Sequence, residues 1–244
     1  MVNPLNAPLP EYLQFFLNNT LQYTKFLFDS CEEQDENAIK TETAKRLRYA
    51  LRALEGSLAA INPLQSADKN TVEFISNQGL LVELQLAQML RIQNLEEQAQ
   101  DIDQKAYQCI LQMNQNKLSI HVFQPVVNVV SYRANHTQDN EKLINIFNEV
   151  SPLIQVLSPI EDKTSAKYNV HKLLIFNYAI IGTRTLDPTL MTKGLNTLVK
   201  HLPDERKTFI EQGMAQMDII GYPQPIRDVM ETFYLQYATS KVLH

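Results

Sequence analysis

Along residues 44–61, AKRLRYALRALEGSLAAI, apolar side chains recur at Ala44, Leu47, Leu51, Leu54, Leu58 and Ile61. Steps of three and four stack these six on one side of a 3.6-residue turn, which predicts an amphipathic helix. Lys45, Arg48 and Arg52 fall on a neighbouring flank, and Glu42 precedes Lys45 and Arg46 by three and four residues, the favourable polarity for helical ion pairs. A second stripe follows at Leu95, Ala99, Ile102, Ala106, Cys109 and Met113. Two such stripes in one chain are expected to bury each other rather than wait for a partner.

Helical periodicity governs most of the remaining chain. Residues 1–10 contain Pro4, Pro8 and Pro10 and read as extended, because proline lacks a donor and restricts its predecessor. A first helix carries Leu13, Phe16, Leu17, Phe26 and Leu27, ends near Asp29 and is followed by the polar stretch CEEQDEN. The helix of residues 44–61 is stopped by Asn62-Pro63. Asn70-Thr71-Val72-Glu73 has the form of a capping box and predicts a third helix, with Gly79 as a candidate break.

Residues 118–132, LSIHVFQPVVNVVSY, hold the β-branched residues that favour a strand. A lone strand finds no ladder, so a helix from about Gln124 with Pro125 in its first turn is expected instead. RANHTQDN, residues 133–140, is a polar connector that would divide an N-terminal bundle, 11–132, from a C-terminal helical subdomain, 141–244, unless the two are continuous. Beyond it, helices are expected to stop at Ser151-Pro152, Ser158-Pro159, Gly182 and Gly221, and to start at Ser165 and at Asp187-Pro188. A last helix runs from Ile226 to about Val242. The sum is an all-α fold of roughly ten helices packed as a multi-helix bundle. Helix pairs near the C-terminus begin at similar intervals, but no repeat signature recurs.

Composition narrows the function classes. A chain of 244 residues with 44% hydrophobic and 20% charged side chains can bury a core and is neither disordered nor membrane-spanning in character. The formal charge is −5; residues 1–150 carry 12 basic and 18 acidic side chains, residues 151–244 carry 10 and 9. An acidic balance with no basic tail disfavours nucleic-acid binding, which needs many phosphate contacts. Cys31 and Cys109 lack metal or redox spacing and are expected to be reduced thiols. The N-terminus has no basic n-region, and no apolar run approaches the roughly 18 residues of a membrane span, so a cytoplasmic location is expected. Six glycines provide little material for phosphate-cradling loops.

Motifs for chemistry are sparse. His121, His136, His171, His201 and His244 stand outside any HExxH or ExxH pattern, and there is no GxSxG, P-loop or GxGxxG. Asp101-Ile102-Asp103 reads as two carboxylates solvating the flanks of a buried stripe rather than as a metal site. Glu32, Glu33, Asp35 and Glu36 precede a helix and complement its dipole.

These readings lead to an expected non-catalytic helical interaction protein: an adaptor, scaffold or accessory subunit, in its most specific form a bacterial secretion-related adaptor or effector. Its partner-binding residues would be Lys45, Arg48 and Arg52 on the basic flank, with Tyr222, Tyr234 and Tyr237 near the last helix, where tyrosine suits a half-packed surface. Neither cofactor nor metal is expected. The alternative is an all-α enzyme or ligand-binding protein with a pocket near His171, Tyr168 or Tyr178; nucleic-acid binding through the basic flank stands third. Charge reversal at Arg48 and Arg52 is expected to change stability by less than about 0.5 kcal/mol in urea unfolding. A large loss of helical circular dichroism would instead place that flank inside.

Overall fold

The structure, a computed structural model, describes residues 69–157, 160 and 162–239, together with residues 18, 21, 22, 24, 25, 49, 52, 55 and 56. Most of the helices expected over residues 11–29 and 44–61 lies outside the described residues, as do Lys45, Arg48, Cys31 and the acidic run at 32–36. Arg52 is described and exposed. The described residues form eight helices and no strand, an all-α fold; roughly ten helices are expected along the whole chain. No helix among them is long and apolar enough to cross a membrane. The chain divides into two compact units, Met1–Val129 and Val130–His244.

In the first unit, α1 (Lys69–Ile92) and α2 (Glu96–Gln115) form a hairpin whose turn is made by Asn94 in the left-handed region, at φ 61°. Leu86, Ala87 and Leu90 meet Ala99 and Ile102, with Met89 and Leu95 packed around them. The stripe expected on α2 is therefore buried, against α1 among the described residues. Gly79 does not break α1; it is buried within a continuous helix. Nor does Glu73 act in a capping box. Asn70 already lies inside α1, and Glu73 accepts the Ser119 backbone N–H at 3.0 Å, a bond that lowers its pKa.

Asn77 completes this clamp, donating to the Ser119 carbonyl at 2.9 Å and accepting from the His121 N–H at 2.8 Å. Residues 118–123 form no regular element, and the backbone of Ser119 and His121 is satisfied by α1 side chains instead of a sheet. Helix α3 (Gln124–Asn135) follows with Pro125 in its first turn, as the sequence predicts, and takes in Arg133–Asn135 of the expected connector.

Asp103 departs from expectation. Its neighbour Asp101 is half-buried and bonds Lys105, but Asp103 is 2% exposed, held by Arg91 at 2.6 Å and Asn128 at 2.9 Å. Burial raises its pKa, opposed by Arg91 and then Asn128. A buried charge persists only when paired and hydrogen-bonded, and here the pairing ties α1, α2 and α3 together.

In the second unit, α4 (Asn140–Gln155) is capped by Asp139 and continues through Pro152, where a stop is expected. Proline inside a helix costs about 3 kcal/mol. Leu153 and Ile154, buried in the turn that follows and each worth roughly 1.5–3 kcal/mol, offset that, and Pro152 itself is exposed. Ser165 caps α5 (Ala166–Arg184) as predicted, but α5 does not end at Gly182. It runs on to Arg184, and the chain turns at Leu186, φ 58°.

Asp187 then caps α6 (Pro188–His201) with its carboxylate on the Thr189 and Leu190 amides. Helix α7 (Arg206–Ile220) ends at left-handed Gly221, φ 73°, and α8 (Gln224–Tyr237) packs back on it.

Gly182 has a packing role. A Cβ there would lie 2.9 Å from the Leu190 carbonyl oxygen and 2.9 Å from Phe147, and one at Gly194 would lie 3.0 Å from the Ala179 Cα. Backbone meets backbone at this crossing, so neither position has room to yield. Gly182→Ala is expected to lower stability by about 1–2 kcal/mol in urea unfolding, because overpacking outweighs the gain in helix propensity of roughly 1 kcal/mol. Gly213→Ala, which meets only the flexible end of Met230, should cost less.

Candidate functional site

At one end of the α5–α6 pair lies a cavity of about 260 Å³. Tyr168, His171 and Ile175 line it from α5, Lys200 and His201 from α6, and Leu202, Pro203 and Asp204 from the following link. Leu157, Ile160 and Lys163 complete the wall. Helical spacing puts Tyr168 and His171 on one face of α5, and the α5–α6 hairpin brings His201 to them.

Among the described lining residues, two lysines stand against one carboxylate. Asp204 is bonded to Lys163, whose ammonium holds the carboxyl below its ordinary pKa. Lys172, one position beyond His171, pairs with Glu205. Lys200 and Lys167 have no carboxylate within ion-pair distance among the described residues. Both histidines respond to this field.

His171 is 9% exposed, and burial, then Lys167 and His201, lower its pKa from 6.5 to about 4. His201 is lowered too, by burial and then Lys200. Both rings are therefore neutral near pH 7, each with one donor and one acceptor nitrogen.

Tyr178 is not part of this cavity. Its ring stacks on Phe147 at 4.1 Å, and its hydroxyl bonds Ser151, to which Lys193 donates at 2.8 Å. Ser151, Tyr178 and Lys193 come from α4, α5 and α6, so this set, buried at Ser151 and Tyr178, joins three helices. Burial raises the Tyr178 pKa, against the bond to Ser151. A second hollow of about 330 Å³ lies beside Tyr132, Arg133, His136 and Lys142, but Arg133 there is engaged by Glu149 at 2.7 Å.

The expected partner-binding tyrosines are all half-buried. Tyr237 packs 5.9 Å from Phe233 and lies under the Arg206 guanidinium at 5.2 Å. Burial raises the Tyr222 pKa, with Arg184 opposing it. Cys109 is a free buried thiol whose pKa is pushed up by burial and by Glu83. Among the described residues, no group of three His, Cys, Asp or Glu side chains is placed to hold a metal ion.

His201, Lys200 and Asp204 escaped the sequence reading. One signal was present: His171 and His201 are each 15 residues from Leu186, the turn of a helical hairpin, and equidistant positions in such a hairpin face each other. No family model matches the chain, and neither curated proteins nor solved structures provide a match.

The depressed His171 pKa makes stability pH-dependent with a definite sign. The unfolded chain takes up the proton more readily, so the contribution is complete above pH 6.5 and is lost as pH falls from 6.5 towards about 4. Unfolding measured across this window should show a loss of about 3 kcal/mol that His171→Gln largely abolishes.

Proposed function

We propose that this chain is a non-catalytic helical interaction protein, an adaptor or accessory subunit that docks on a protein partner through the tip of its α7–α8 hairpin. The observation that carries this reading is the tip itself. Ile219 and Ile220 are 76% and 59% exposed, beside half-buried Tyr222.

Such side chains are more useful for docking when the backbone beneath them is fixed, since less entropy is lost on association. Here Gly221 supplies the left-handed turn, and Arg227 grips both the Met217 carbonyl at 3.1 Å and the Asp218 carboxylate. A rigid apolar knob flanked by tyrosine has the composition of an interface centre. Arg52, exposed in the first unit, belongs to the same reading as a polar contact, in company with Lys45 and Arg48.

A second reading, a helical protein that binds a small ligand, is favoured by the cavity at Tyr168 and His171. The two readings are compatible, since neither uses the other's residues.

Full-length tagged protein captured from its native cell at moderate salt should retain a stoichiometric protein partner that the Ile219→Asp, Ile220→Asp double variant loses. The variant's thermal unfolding should be almost unchanged, as the positions are exposed. A partner held equally by both proteins, or none at all, would refute docking at this tip.

A further inference from the structure

We propose that the cavity at the α5–α6 end binds a small organic acid, its carboxylate held by Lys200 and His201 and its short hydrocarbon chain lying on Ile160 and Pro203. This rests on the second, ligand-binding reading and goes beyond the docking role of the α7–α8 tip.

Size sets the first limit. About 260 Å³ is the space of eight or nine waters at ~30 Å³ each, below the roughly 300–1,000 Å³ of sites for drug-sized molecules. An acid of a few carbons fits; a nucleotide does not.

Charge sets the second limit. Lys163 and Lys200 line the cavity with Asp204, which Lys163 already engages, and Lys167 acts on His171 from the same helix. A single negative charge is attracted to the Lys200 ammonium, whereas a cation is repelled by it. His201 offers one N–H donor in its neutral form and Tyr168 a hydroxyl, and the His171 ring lies beside them. Hydrogen bonds to a carboxylate are charge-assisted and among the stronger kind.

The lining sets the third. Leu157, Ile160, Ile175, Leu202 and Pro203 make about half of the wall apolar, and of these Ile160 is half-buried and Pro203 exposed. Inorganic phosphate would leave that surface uncovered. A hydrocarbon tail covers it, each buried methylene contributing about 0.8 kcal/mol.

The test is a titration of the full chain with sodium hexanoate, hexanamide and sodium phosphate, followed by calorimetry and by the imidazole resonances of His171 and His201. Hexanoate should bind saturably, at least tenfold more tightly than hexanamide or phosphate. It should move both histidine signals and raise the His171 titration midpoint from about 4, since a nearby anion favours imidazolium. Lys200→Gln should weaken hexanoate at least tenfold, while Lys142→Gln leaves it unchanged.

Equal binding of hexanoate and hexanamide would overturn the acid specificity and leave the ligand-binding reading standing. Failure of all three probes to bind the folded protein would overturn both. Binding of phosphate alone would overturn the apolar half of the proposal.

Discussion

The close approach of α5 and α6 is the constraint on which the second unit depends. Two glycines, Gly182 on one helix and Gly194 on the other, let backbone come within van der Waals reach of backbone. Interiors are packed at crystal-like density, so a contact of this kind fixes the helices in one register. Ser151, Tyr178 and Lys193 can then meet across three helices, and His171 can face His201 at the far end. The cavity is a consequence of that register: the helices touch at the glycines, and beyond them the larger side chains of α5, α6 and the following link enclose a space.

Polar groups brought inside set further conditions. Asp103 in the first unit and the Ser151 set in the second each join three helices by hydrogen bonds that bury polar atoms. Such ties add little net stability relative to apolar packing, but breaking one leaves an uncompensated group in a low dielectric. They therefore restrict which helix arrangements are acceptable. His171 shows the same economy differently: its ring stays neutral because burial and neighbouring cations both penalise the imidazolium. A negative ligand would reverse that balance, which links the cavity's electrostatics to its proposed occupant.

The sequence by itself determined the class of fold and most local boundaries. Apolar steps of three and four, Ser165 and Asp187 as caps, Pro125 in a first turn and Gly221 at a helix end are short-range features whose energetics depend on neighbours a few residues away. Tertiary structure decided the places where a distant contact outweighed a local preference. Pro152 stays within α4 because buried residues continue beyond it, and Gly182 lies inside α5 because α6 needs the space a side chain would fill.

Glu73 left its expected cap for an amide 46 residues away, and Asp103 went inside because Arg91 and Asn128 were there to receive it. The candidate cavity was half legible for the same reason. Tyr168 and His171 share a helix face and could be paired from spacing alone, whereas Lys200, His201 and Asp204 join them only once two helices have folded back on each other.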